Sequence, residues 1–345
     1  MANILNIEQF LLNAESIPVV DVRSPAEFEN GHIPGAFSIP IFTNEERAIV
    51  GTNYKKNGKE NAVINGLEIV GPKLVDFVKE AKKIAPQKKI LVHCWRGGMR
   101  SASMAWLFNT AGFEVEILEG GYKNYRTHSR DLFNKIDKLF VLGGYTGSGK
   151  TDILKEMEKL GAQFLDLEGI ANHKGSAFGA IGQHPQPTTE QFENMLAKKL
   201  GEFDLKKPVW VEDESRQVGR CAIPDNLFAH MRDTHLIKII IPKKIREKRL
   251  VKEYGCFPKE PLETSIKNIE RRLGGLRAKQ SIDALESGDM LKVAEITLEY
   301  YDKAYLHGNS KRNTKLIYEL EINEDNPAKS AKKVLEYCKS LSLCE

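Results

Sequence analysis

Along the first 130 residues, short apolar runs alternate with polar stretches that carry apolar residues at helical spacing. Ile17 to Val22 reads as a buried strand, and Ile90 to Val92 as another; both runs are too short for helices. Between them, Leu74, Val75, Phe77, Val78, Ala81 and Ile84 recur in three- and four-residue steps, which predicts a helix from about Pro72 to Ile84. A second helix is predicted from about Ser101 through Ala102, Met104, Ala105, Leu107 and Phe108, and a further strand at Val115 to Leu118. The polar, lysine-rich stretch from Asn44 to Gly66 contains several glycines and reads as an excursion between strands. The pattern then restarts. Leu139 to Leu142 predicts a strand, Ile153, Leu154, Met157 and Leu160 a helix, and Phe164 to Leu167 and Val209 to Val211 two more strands. From about Pro242 onward the spacing is mainly helical. Strands alternating with helices predict an α/β chain. The polar stretch Thr127 to Asp137 divides the two patterns, so the expected domains are residues 1–126 and 138–345, with 127–137 as linker or connecting helix.

Composition adds bounds. A chain of 345 residues is long enough for two proper cores, and no apolar run approaches the roughly 20 residues of a membrane span. The N-terminus shows no charged-then-apolar leader, so a cytoplasmic location is expected, with no membrane partner. The five cysteines, Cys94, Cys221, Cys256, Cys338 and Cys344, form no CxxC pair and suggest neither a disulfide framework nor a zinc site. Net charge is only +4, yet Lys238 to Lys279 holds 13 Lys and Arg against 5 Glu. A local basic surplus on a near-neutral chain points to a surface facing a polyanion. Lys244, Arg246, Arg249, Lys252, Arg271 and Arg272 are the candidates for meeting phosphates along RNA; a solvated helix face is the plain alternative.

The chemistry concentrates in two loops. Cys94 stands between the strand ending at Val92-His93 and the helix beginning near Ser101, in Cys94-Trp95-Arg96-Gly97-Gly98-Met99-Arg100. A thiol at a helix N-terminus beside guanidinium charge has its thiolate favoured, and the loop amides can cradle an anion. Cys94 is therefore the candidate nucleophile, with Arg96, Gly97, Gly98 and Arg100 as the anion-holding loop; a buried, inert cysteine is the alternative. The second loop, Gly144 to Thr151, fits Gly-x4-Gly-Lys-Thr, with a strand before it and a helix after it, as a phosphate-binding P-loop requires. Gly144, Gly147, Ser148, Gly149, Lys150 and Thr151 are the candidate phosphate ligands. Thr151 would hold a metal bound to the phosphates, and Asp213, in the acidic run Glu212 to Glu214 after a strand, would hold Mg²⁺ through water; a solvated acidic loop is the alternative.

Several motifs carry a resemblance. Asp21-Val22-Arg23-Ser24, followed by Glu27-Phe28 and Gly31-His32-Ile33-Pro34-Gly35-Ala36, resembles the opening of rhodanese domains, and the Cys94 loop resembles their active-site loop. In that fold Asp21 and Arg23 tie a strand end to a neighbouring loop. His93-Cys94, five residues, Arg100-Ser101 also fits the signature of cysteine-dependent phosphatases. Leu167 to Gly179, Trp210 to Arg216, Val251 to Gly255, Arg272 to Gly275 and Tyr300 to Asp302 extend the resemblance to the tRNA 2-selenouridine synthase family over nearly the whole chain, with no departure at these motifs.

That resemblance implies an N-terminal rhodanese-like domain, then a P-loop NTPase-like α/β domain with a mainly helical, basic C-terminal part. It implies replacement of sulfur by selenium on wobble 2-thiouridine of tRNA through an S-geranylated intermediate, with geranyl diphosphate and selenophosphate as co-substrates. No tightly bound cofactor is expected beyond Mg²⁺. Cys94 would attack or carry the chalcogen, the charge on the loop being stabilised by its amides, with Arg96 and Arg100 on the leaving phosphate. The P-loop would hold the diphosphate. The rival readings are a cysteine-dependent phosphatase or sulfurtransferase with a regulatory nucleotide-binding domain, and a non-catalytic nucleotide-dependent RNA-binding protein.

Overall fold

The computed structural model describes residues 2–310 and 312–343. Cys344 lies outside them. The chain divides into two compact units: one is formed by the chain up to Asp131 together with Glu193–Lys198, the other by Leu132–Phe192 and the chain from Lys199 onward.

The first unit contains β1 (Asn3–Leu5), α1 (Ile7–Asn13), β2 (Val19–Asp21), α2 (Pro25–Asn30), β3 (Phe37–Ser38), α3 (Asn44–Val70), α4 (Leu74–Ile84), β4 (Lys89–His93), α5 (Met99–Thr110), β5 (Glu114–Leu118) and α6 (Gly121–Leu132). Its sheet runs β1-β5-β4-β2-β3 with every pairing parallel. Because side chains alternate along a strand, β4 serves two cores. Ile90 and Val92 pack with Val20, Met104, Phe108 and Val115 on one face, and Leu91 with Phe10, Leu118, Tyr122 and Tyr125 on the other.

The stretch Asn44 to Gly66 is not a loose excursion but most of α3. Thr43 and Glu46 form a capping box at its start, and Lys73 pairs with Glu46. The helix kinks at Gly58, whose backbone is non-helical. Few of its side chains are buried, so it carries no apolar stripe for a sequence pattern to register. Of the predicted linker, residues 127–132 are the C-terminal part of α6 and residues 133–137 are non-helical.

The second unit contains β6 (Leu139–Gly144), α7 (Lys150–Lys159), β7 (Gln163–Phe164), α8 (Leu167–Ala171), the two ends of α9 (Thr189–Gly201), β8 (Val209–Glu212), β9 (Gln217–Val218), β10 (Cys221–Ala222), α10 (Asp225–Asp233), β11 (His235–Ile240), α11 (Lys243–Tyr254), α12 (Lys259–Leu273), α13 (Gly275–Ser287), α14 (Met290–Asn309), β12 (Ile317–Glu321) and α15 (Pro327–Ser340). The five-stranded sheet β12-β11-β6-β8-β7 is parallel throughout. Phe140, Leu142, Ile237, Ile239 and Trp210 pack against α7 and α15. A separate core joins α11 to α14 through Tyr254, Leu262, Ile266, Ile269, Leu273, Leu285, Val293 and Ile296, and takes in Phe178 and Ile181 from the loop after α8. The helical reading from Pro242 holds except for β12, which completes the sheet at its edge. Among the described residues, no helix is long and apolar enough to cross a membrane.

Candidate functional site

Cys94 follows β4 directly, and α5 begins at Met99, two residues earlier than its apolar spacing suggests. The thiol is buried, with Sγ 3.3 Å from Oγ of Ser101, whose one hydroxyl hydrogen can go to the sulfur or to the Gly98 carbonyl 3.0 Å away. Burial pushes the thiol pKa up. The Ser101 hydroxyl, the backbone N–H groups of Arg96 and Ser101, and the charge of Arg100 outweigh it, so the thiol titrates below its ordinary value. Arg96 is exposed, whereas Arg100 is half-buried and donates to Glu27 at 2.7 and 3.3 Å. Glu27 is itself placed by the capping box of α2, through Ser24. An anion entering the loop would therefore compete with Glu27 for Arg100.

Two supports of this loop carry no role in the sequence reading. The N–H groups of Tyr122 and Lys123 donate to the carbonyls of Cys94 and Trp95 at 2.8 and 2.9 Å. That approach requires glycine at 121: its φ is +61°, and a Cβ would overlap the Cys94 carbonyl oxygen. The second is Ser101, conspicuous only as the residue after Arg100. Asp21 and Arg23 are buried and joined side chain to side chain, and Arg23 also donates to the Gly31 carbonyl at 2.6 Å and lies over the Tyr122 ring. They tie strand to loop, as the resemblance implies.

In the second unit the P-loop leads from β6 into α7, and Gly144, Gly147, Ser148, Gly149, Lys150 and Thr151 all line one cavity of about 1430 Å³. Lys150 Nζ is 3.9 Å from Glu214. Burial disfavours its charge, but Glu214, Glu168, Asp213 and Glu212 together raise its pKa above the ordinary lysine value, so it stays cationic. Burial and the neighbouring Glu168 hold Glu214 protonated well above the usual carboxylate range, with Lys150 opposing. Away from the P-loop the cavity wall changes character: Leu250, Tyr254, Ile269, Val293, Tyr300 and Tyr301 line it from the helical layer. One cavity is thus lined by the P-loop and by a helical wall of apolar and aromatic side chains that also carries Glu253, Asn268, Arg271, Arg272 and Thr297.

Several of the remaining sequence candidates have protein partners. The Thr151 hydroxyl donates to Glu168 at 2.9 Å, and the Asp213 carboxylate takes Arg312 at 2.6 Å with Arg232 at 3.8 Å. Asp213 is thus charge-paired with Arg312, with Arg232 beside it. Among the described residues, no group of three or more His, Cys, Asp or Glu is arranged to hold a metal. Arg246, placed by its spacing on a basic helix face, is buried: it meets Asp302 at 2.8 and 2.9 Å and donates to the Thr146 carbonyl of the P-loop at 3.2 Å. Arg249 pairs with Asp152 and Asp325 and lines the cavity beside Gly149. Lys244, Lys252, Arg271 and Arg272 are exposed, the two arginines at the cavity margin.

A parallel-sheet domain with a cysteine cradle, joined to a P-loop domain with a large cavity, is a rhodanese-like and P-loop protein of two catalytic-type units. The family model described as tRNA 2-selenouridine synthase AAA domain matches residues 137–336, and that of the rhodanese-like domain matches residues 8–128. The chain is 34% identical to a tRNA 2-selenouridine synthase of Bdellovibrio bacteriovorus over 88% of this chain and 92% of that protein. It is 38% identical to one of Nitrosomonas europaea over 69% and 63%, and 33% identical to one of Shewanella sediminis over 87% and 90%. The chain belongs to the tRNA 2-selenouridine synthase family, transferases that modify tRNA with selenium.

Proposed function

We propose that this chain replaces sulfur by selenium in wobble 2-thiouridine of tRNA in two stages, with geranyl diphosphate as alkyl donor and selenophosphate as selenium donor. The observation that carries this reading is the cavity lined by both the P-loop and the helical wall. A nucleotide would ask for groups that read a base; a prenyl diphosphate asks for a phosphate cradle continuous with an apolar wall, and this cavity offers that. In the first stage the P-loop amides and Lys150 hold the diphosphate. The thiouridine sulfur forms a bond to the allylic carbon while the carbon–oxygen bond breaks, and Lys150 stabilises the charge that develops on the departing diphosphate. The apolar wall takes the ten-carbon chain. In the second stage the selenium of selenophosphate bonds to C2 of the base as geranyl thiol leaves, and the phosphoryl group passes to water as phosphate; the Cys94 loop serves this transfer, its amides and Arg96 and Arg100 meeting that phosphate. Exposed Lys244, Lys252, Arg271 and Arg272 meet tRNA phosphates.

The test is a two-by-two assay. Lys150→Ala should form no S-geranyl nucleoside, yet should make 2-selenouridine from pre-geranylated tRNA and selenophosphate. Cys94→Ser should geranylate and fail to selenate. Normal geranylation by Lys150→Ala, or a strict ATP requirement for that stage, would overturn the assignment.

A further inference from the structure

We infer that His173 is the general base of the alkylation stage, accepting the N3 proton of 2-thiouridine as its sulfur attacks. The inference rests on the reading that the second unit alkylates a thiouridine. Alkylating a 2-thiouridine on sulfur cannot stop at C–S bond formation. The sulfur lone pair forms the new bond, the carbon–oxygen pair leaves with the diphosphate, and the ring must lose its N3 proton for the product to be neutral. A proton acceptor is therefore needed in the cavity that holds the diphosphate.

Among the described residues that line this cavity there is one imidazole, that of His173, on the glycine-punctuated loop after α8. The residue is 9% exposed. Its Nδ1 is sealed from solvent and has no hydrogen-bond partner among the described residues. The ring packs on Gly179, where a Cβ would come within 2.8 Å of Cε1 and 2.9 Å of Nδ1. Nε2 is not among the buried atoms without a partner and the residue lines the cavity, so proton acceptance is assigned to Nε2. The backbone is pinned as well: the His173 N–H donates to the Glu168 carbonyl at 3.0 Å, and the Lys174 N–H to the Gly179 carbonyl at 3.0 Å.

Of the charged groups near the ring, Glu168 acts on it directly, and the cavity lining also includes Lys150, Lys174, Asp213, Glu214, Arg249 and Glu253. Lys174 is occupied by Glu253, and Arg249 by Asp152 and Asp325. Glu214 faces Lys150 at 3.9 Å, and Glu168 accepts the hydroxyl of Thr151. Burial lowers the His173 pKa, only partly offset by Glu168, so the ring is neutral and able to accept a proton near neutral pH.

The experiment uses the full chain, a 2-thiouridine anticodon stem-loop and geranyl diphosphate. His173→Gln should lower the alkylation rate at neutral pH by about 10²- to 10⁴-fold, the range of general-base catalysis. Its affinity for geranyl diphosphate, measured by calorimetry, should stay within about threefold of wild type, because the P-loop that holds the diphosphate is unaltered. Because the missing function is proton removal, the variant should recover as pH rises through ionisation of N3–H. A series of 5-substituted 2-thiouridines of graded N3 acidity adds a second reading: the variant's rate should follow acidity steeply, the wild type's weakly. A His173→Gln rate equal to wild type, or a defect that neither pH nor substrate acidity relieves while binding is kept, would overturn the inference. A wild-type protein that forms no S-geranyl product overturns the alkylation reading itself, and this inference with it.

Discussion

At the scale of single residues, the thiol of Cys94 is governed by its immediate donors more than by distant charge. Burial alone would leave it a poor nucleophile; the Ser101 hydroxyl and two backbone amides reverse that. The sign is simple. A lowered pKa means that thiolate persists as pH falls below the roughly 8.5 at which an unperturbed thiol titrates. Alkylation of Cys94 followed by peptide mass spectrometry should show a midpoint below that value. Ser101→Ala should move the midpoint upward by about half to one unit, the equivalent of one hydrogen bond of about 0.5–1.5 kcal/mol. An unmoved midpoint would show that the hydroxyl does not act on the sulfur. Cys94, the loop arginines and the P-loop were legible in sequence because their spacing is local. Arg246 was not: its partner Asp302 lies 56 residues further along, and charge spacing on one helix cannot register a carboxylate arriving from another. The same holds for Asp213, which meets Arg312 across 99 positions.

At the scale of elements, the cysteine loop is held by the turn that opens α6. Gly121→Ala places a side chain where φ is +61° and where the Cys94 carbonyl already sits. The conformational cost alone is about 1–2 kcal/mol, and relief of the overlap must push the loop away. The expected outcome is a lowered melting temperature together with a raised Cys94 alkylation midpoint. A variant that melts and alkylates like wild type would show that the turn does not shape the loop. Elements with buried stripes or runs, such as α4, β4 and β6, are readable from their pattern. By contrast, α3 is stabilised by its cap and ion pairs over a mostly exposed surface, so its polar residues and glycines look like loop. β12 escaped for a related reason: only Leu320 of its five residues is buried, as befits a sheet edge.

At the scale of the whole molecule, the basic surplus resolves into two populations. Arg246 is buried against Asp302 and Arg249 pairs with the exposed carboxylates of Asp152 and Asp325, while Lys244, Lys252, Arg271 and Arg272 face outward. The expected consequence is a tRNA affinity whose logarithm falls linearly with log salt. Replacing Arg271 and Arg272 together by Ala should flatten the slope by about 0.7 to 0.9 for each phosphate that is no longer neutralised. An unchanged slope would assign those charges to solvent. Arg246 itself has a different effect. One guanidinium spans the Thr146 carbonyl in the phosphate cradle and the Asp302 carboxylate on α14, the helix that supplies part of the apolar wall. Whatever settles α14 thereby settles the cradle, and by thermodynamic reciprocity an anion in the cradle favours a hydrophobic guest next door to the same degree. A molecule carrying both parts on one chain gains twice, since its second part arrives at the high effective concentration of a tethered group. On the proposed reading, inorganic diphosphate and a prenyl alcohol offered separately should each bind this cavity more weakly than the prenyl diphosphate that joins them.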